Sequence, residues 1–216
     1  YASLRHFTGA GKFVDSYQED ETTDFHTMVS EMADIPRKQA KTINLGLFYG
    51  MGKGKLMSQL GVNLETASEL LASYNERVPF VKQLMNDTMN KAGKKGYLST
   101  LEGRRCRFDQ WEPTNEWGQK SLPLAEAQQQ YGEHMIKRAW TYKALNRLIQ
   151  GSAADQTKKA MLELDKEGYL AHIQVHDELD FSVASDADKA KIKDIMENCV
   201  ELSVPSKVDV ECGDNW

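Results

Sequence analysis

Residues 34–55 read DIPRKQAKTINLGLFYGMGKGK, and the order of cations, apolar residues and glycines in this stretch sets the reading of the whole chain. Asp34 can cap a helix N-terminus, Pro36 suits a first turn, and Gly50, Gly52 and Gly54 close the segment. A helix of about 14 residues is expected. Arg37, Lys41, Leu45 and Tyr49 recur along it at i, i+4, i+8 and i+12 and so share one face. A triphosphate would meet the two cations, with a sugar and base farther along against Leu and Tyr. Arg offers a planar fork of donors and Lys a compact point charge, which suits two different phosphates. A solvated basic edge on a surface helix has the same pattern, so the stripe alone decides nothing.

A second stretch, VHDELD at 175–180, gathers three acids and a histidine between apolar runs. The adjacent carboxylates of Asp177 and Glu178 repel each other unless a cation sits near them. Hard oxygen ligands on a rigid turn are what a magnesium ion accompanying a phosphate needs, and His176 adds a donor. A plain hydrophilic hairpin tip also carries Asp and Glu.

The remaining pattern is mostly helical. Apolar residues at intervals of three and four predict helices over about 65–78 and 80–92, longer ones over about 124–147 and 151–166, and an amphipathic one over about 186–202. GYLSTLEGRRCRF, from Gly96, predicts strand, turn and strand, with Glu102 and Gly103 as the turn. Gly168 stops the second long helix. Beyond it, YLAHIQV and LDFSV flank the acidic turn; Leu179, Phe181 and Val183 alternate with Asp180 and Ser182 as in a half-buried strand. A short strand is expected near 206–212. An α+β fold follows: a mostly helical middle, then a segment with an antiparallel β-hairpin.

Composition fits a globular chain, with 216 residues, 40% hydrophobic and 27% charged. No apolar run approaches the roughly 20 residues needed to cross a bilayer, so no membrane partner is expected, and a cytoplasmic location is the default. Cys106, Cys199 and Cys212 are too few and too far apart for a disulfide framework or a paired-cysteine metal site. The formal net charge is −5, but residues 35–160 hold 20 Lys and Arg against 11 Asp and Glu, while the flanks together carry −14. A basic phosphate-binding or nucleic-acid surface beside an acidic, metal-binding one would divide charge in this way.

Taken together, these motifs carry a resemblance. RKQAKTINLGLFYG is similar to the family A DNA polymerase signature Arg-x3-Lys-x3-Phe/Tyr-Gly-x2-Tyr-Gly, and VHDE resembles that family's His-Asp-Glu hairpin. TLEGRR at 100–105, NRLIQGSAAD at 146–155, DFH at 24–26 and the terminal GDNW resemble further elements of the family in the same order.

The resemblance implies a fold and a set of roles. Residues 1–15 would end a first palm segment, 16–128 form the helical fingers and 129–216 a C-terminal palm segment. His26, Arg37 and Lys41 would contact the triphosphate of an incoming deoxynucleotide, with Lys41 also a proton donor to the departing pyrophosphate. Leu45 and Tyr49 would lie by the nucleotide, where closure tests the nascent pair. Arg104, Asn146 and Gln150 would touch primer-template DNA, and His176 the primer end. Asp177, supported by Glu178, would help to hold two magnesium ions.

Two departures carry consequences. Leu45 stands where the family usually has Phe or Tyr, which implies altered speed, fidelity or sugar discrimination; Tyr142 replaces an arginine found in some relatives. The family's first metal-binding aspartate belongs to a segment that would end just before Tyr1, so a further segment or polypeptide carrying it, and the thumb, is an expected partner. Two other readings stay open: a single-subunit RNA polymerase, which shares the Arg/Lys helix and a His-Asp hairpin, and a nucleic-acid-binding fragment without catalysis.

Overall fold

The structure, a computed structural model, describes residues 10–20, 23–48, 51, 53–116 and 118–213. It divides into two compact units, Asp24–Ile149 and, from both ends of the chain, Tyr1–Thr23 with Gln150–Trp216. Among the described residues no helix is long and apolar enough to cross a membrane.

The terminal unit begins with α1 (Ala10–Glu19). The central unit then runs through α2 (Phe25–Ala33), α3 (Arg37–Phe48), α4 (Lys53–Leu60), α5 (Leu64–Arg77) and α6 (Pro79–Lys95). These helices form a layered cluster in which α3 packs on α2, α4 and α6, and α5 packs on the same three neighbours. Local chemistry sets the ends. Asp24 caps α2 and Asn63 caps α5 through their side chains. Pro79 opens α6, which stops at Gly96 in the left-handed region, as a helix C-terminus prefers. Val29, Ala33, Ala40, Ile43, Ala67, Tyr74, Val78 and Val81 are the buried faces, so the 3.6-residue periodicity of the sequence is the packing seam.

Next come β1 (Tyr97–Ser99) and β2 (Arg105–Arg107), antiparallel with Leu98 opposite Cys106. The expected turn is present: Gly103 has φ +82° and its N–H donates to Thr100 O at 3.0 Å. Leu98 and Phe108 pack with Ala92 and Ala144 as a small second core.

The expected helix over 124–147 does not form as one element. α7 (Leu124–Tyr131) stops at Gly132, whose φ of 91° and ψ of 144° suit glycine alone. The chain then pairs β4 (Ile136–Arg138) antiparallel with β3 (Trp111–Pro113), an unforeseen hairpin. α8 runs unbroken over Ala144–Lys166 through Gly151, because one glycine costs a helix only about 1 kcal/mol. Gly54, expected to end a helix, lies inside α4. Asp34 caps the end of α2 with φ 53° instead of the start of α3.

In the terminal unit, β5 (Ile173–Val175) and β6 (Glu178–Asp180) form the expected hairpin, and α9 (Asp186–Asn198) follows, capped by Ser185. β6 ends at Asp180, so the alternation through Val183 is not strand; among the described residues no third strand is there to pair with it. No strand forms over 206–212 either. That segment is tied down by side chains, with Gln156 Nε2 bonded to Ser206 Oγ at 2.9 Å and Val208 N to Glu197 Oε1 at 2.9 Å.

Candidate active site

In the central unit the site grows from the meeting of α2 and α3. Ala40, Ile43 and Asn44 face inward on α3, which leaves Arg37, Lys41 and Leu45 as its exposed stripe. Tyr49 lies outside the described residues. Asp24, at the N-terminus of α2, accepts from its own helix at His26 N (3.2 Å) and Thr27 Oγ1 (2.7 Å). It also reaches across to α3, accepting from Arg37 Nε at 2.7 Å and pairing with Nη2 at 2.6 Å. Both guanidinium nitrogens converge on Oδ2, the oxygen that also accepts from Thr27. The Thr27 hydrogen bond lowers the Asp24 carboxyl most; burial opposes it, and the Arg37 hydrogen bond, the His26 N–H and the Arg37 charge add to the lowering, which holds the group at about 2.

His26 is half-buried and joined to α3 by Asn44, whose Nδ2 lies 3.1 Å from its Nδ1. Burial holds its ring below the usual imidazole range; Lys41 and Arg37 act in the same sense and Asp24 in the opposite one. His26 therefore feels the charges of Arg37 and Lys41. Lys41 is exposed and forms no ion pair among the described residues. The arrangement is a local concentration of donors, with a neutral imidazole, a clamped guanidinium and an ammonium, and it suits a polyanion.

Arg104 is exposed in the turn between β1 and β2, where its N–H donates to Thr100 Oγ1 at 3.1 Å. Asn146 and Gln150 stand one turn apart on α8, Asn146 half-buried and Gln150 exposed. Beside them lie cations stacked on rings, Arg105 over Tyr97 at 4.7 Å and Arg147 over Phe108 at 4.9 Å. Tyr142 is 45% exposed, with Lys143 Nζ 5.5 Å from its ring centroid.

In the terminal unit Val175 pairs with Glu178, which leaves His176 and Asp177 as a two-residue loop. His176 has φ 56°, a value that such loops require and that glycine or asparagine usually supplies. Gln174 Nε2 braces the loop by donating to His176 O at 3.1 Å. Asp177 and Glu178 are exposed, and no lysine or arginine neutralises either among the described residues. Adjacent bare carboxylates fit a magnesium ion that keeps water and phosphate oxygens in its shell. No group of three or more His, Cys, Asp or Glu able to hold a metal occurs among the described residues.

Three residues that bond to this cluster escaped the sequence reading: Asp24 on Arg37, Asn44 on His26 and Tyr74 on Asn44. Asp24 was visible within DFH, but its partner is 13 positions away. Asn44 and Tyr74 read as ordinary helix residues; a polar residue on the apolar face of α3 was the available signal.

Residues 3–216 match DNA polymerase family A. The chain is 38% identical, over 94% of its length, to a DNA-directed DNA polymerase of Pseudomonas phage M6, of which it covers 32%. It is 31% identical, over 99% of its length, to the thermostable DNA polymerase I of Thermus aquaticus, of which it covers 25%. It is also similar to the POL domain of Pol1 from M. smegmatis, solved in complex with DNA primer-template and dNTP, with TM-score 0.69, 28% identity and coverage of 94% of this chain and 35% of that one. The chain thus spans about a third or less of the length of these relatives.

Proposed function

The chain belongs to DNA polymerase family A, and on that footing we propose that it serves template-directed DNA synthesis, transferring a nucleotide from a deoxynucleoside triphosphate to a primer 3′-hydroxyl as part of a longer polymerase. The observation that carries this reading is the convergence of His26, Arg37 and Lys41 where α2 meets α3.

Arg37 and Lys41 bind the triphosphate and His26 donates to it. Arg37 is paired with Asp24 beforehand; a triphosphate carries more charge than one carboxylate and competes for the guanidinium, while Asp24 keeps its bonds to Thr27 and His26 N. Lys41, exposed and unpaired with any acid among the described residues, is the proton donor to the leaving pyrophosphate. Leu45 and Tyr49 meet the sugar and base. Arg104, Asn146 and Gln150 grip primer-template DNA, largely through a salt-sensitive phosphate contribution, and His176 meets the primer end. Asp177 and Glu178 would hold magnesium, whose chemistry there is activation of the primer hydroxyl and neutralisation of the departing phosphates.

In this reading fingers occupy 16–128, and palm segments 1–15 and 129–216. A segment outside these 216 residues supplies the thumb and a second metal-binding aspartate. The hairpin residues Ile173 and Val175, each 39% exposed, offer apolar surface for such a segment to cover. The place of action is the cytoplasm of a bacterial or phage-infected cell.

Deoxynucleotide binding in the presence of primer-template tests the site. Arg37→Ala and Lys41→Ala should each weaken dATP binding about tenfold or more, a charged hydrogen bond being worth about 1.5–3 kcal/mol, and ATP should bind less well than dATP. Unchanged affinity in both variants would remove the nucleotide site from α3, and a preference for ATP would point to an RNA polymerase.

A further inference from the structure

Behind His26 lies a buried polar chain that the nucleotide reading does not use. Asn44, on the inner face of α3, and Tyr74, on α5, are both fully buried at 0% exposure. The Tyr74 hydroxyl donates to Asn44 Oδ1, and Asn44 Nδ2 stands 3.1 Å from His26 Nδ1. Neither Asn44 nor Tyr74 has a side-chain atom left buried and unbonded.

An amide can face either way, and its direction decides which ring nitrogen of His26 carries the proton. In the orientation present, Tyr74 O–H donates to Oδ1 and one Nδ2–H donates to Nδ1. Nδ1 must then be bare, so the proton sits on Nε2. In the reversed orientation Nδ2–H would donate to the Tyr74 oxygen and Oδ1 would accept from an Nδ1–H. The Tyr74 proton would then have no acceptor among the described residues. A buried donor left without a partner is disfavoured by on the order of tenfold or more. The phenol does not escape by ionising, because burial pushes Tyr74 up.

We propose that Asn44 and Tyr74 are positioning residues that lock His26 in the Nε2–H tautomer, so that its free nitrogen is always a hydrogen-bond donor toward an anionic phosphate oxygen. The other tautomer would present a lone pair, which repels that oxygen. The imidazole is held neutral chiefly by burial, with Lys41 and Arg37 opposing Asp24. Tautomer control thus supplies a donor without needing the ring to be charged. The function of this donor rests on the reading that His26 meets the triphosphate; the tautomer itself does not.

Long-range 1H–15N correlation spectra of protein labelled at the histidine ring nitrogens test the assignment, with the His26 signals identified by their loss in His26→Gln. The wild type should show protonated Nε2 and bare Nδ1. Tyr74→Phe, nearly the same in shape, removes the hydroxyl that orients the amide, and the Nδ1–H form should rise from under about one tenth to a comparable population. Asn44→Asp, which can only accept, should convert His26 to Nδ1–H or to the cation. A wild-type ring protonated at Nδ1, or a tautomer unmoved by Tyr74→Phe in a folded protein, overturns the proposal. With primer-template present, Tyr74→Phe should also weaken dATP binding several-fold. If His26→Gln leaves dATP binding unchanged while the spectra behave as expected, the nucleotide reading fails and the tautomer lock stands.

Discussion

At Asp24 one carboxylate caps α2, holds Thr27 and clamps Arg37. Its folded value of about 2 lies below the ordinary 3.8, so it contributes stability that is fully present above pH 4 and is lost as pH falls below 4 and through about 2. With the side chain 36% exposed, solvent screening holds the effect to roughly 1 kcal/mol. Asp24→Asn, which can still cap the helix, should lower Tm by about 3 °C at pH 7 and by much less at pH 2. Thermal melts of both proteins across that range check this; a difference independent of pH would mean that the charge plays no part. The sequence made the residue visible but not its task. DFH drew attention to His26, whereas the bond from Asp24 to Arg37 exists only because α2 and α3 turn back on one another at Asp34.

At the scale of the element, α3 was legible because one period governs both its faces: Arg37, Lys41 and Leu45 outside, Ala40, Ile43 and Asn44 inside. Gly46 is buried within it, and a Cβ there would meet Met51 Sδ at 3.4 Å and Leu56 Cδ1 at 3.5 Å, ordinary contacts. Gly46→Ala should therefore raise stability by up to about 1 kcal/mol through helix propensity, read as a higher Tm; a fall would show that backbone freedom in α3 matters to the native state. The hairpin was equally legible, since its two apolar runs bracket a polar pair. Its backbone was not: His176 sits at φ 56°, where glycine is at ease. His176→Gly should leave Tm unchanged or slightly higher, while primer extension by the assembled polymerase falls at least tenfold. Undiminished extension would reduce His176 to a turn residue. The pairing of β3 with β4 was hidden because strands of three residues are too short to show alternation. The helix expected over 124–147 spans α7, β4 and the start of α8, with Gly132 ending α7 within it.

Over the whole molecule, the basic stretch 35–160 and the acidic flanks correspond roughly to the central unit with the candidate triphosphate cluster and the terminal unit with the bare carboxylates of Asp177 and Glu178. Charge patterning thus follows the division of the chain into two units. The unit boundaries themselves were not legible, because α8 runs through Ile149 and Gln150 without a break and leaves no linker composition to detect. The central claim is that this chain carries the nucleotide-binding helix and one metal-binding aspartate of a DNA polymerase. Magnesium-dependent primer extension tests it most directly, using the chain together with a polypeptide that carries the family's first aspartate segment and thumb. The account predicts extension that requires both polypeptides and is abolished by Asp177→Ala. Folded protein that binds DNA in a salt-dependent way yet extends no primer with the partner present, or extension that survives Asp177→Ala, would contradict it.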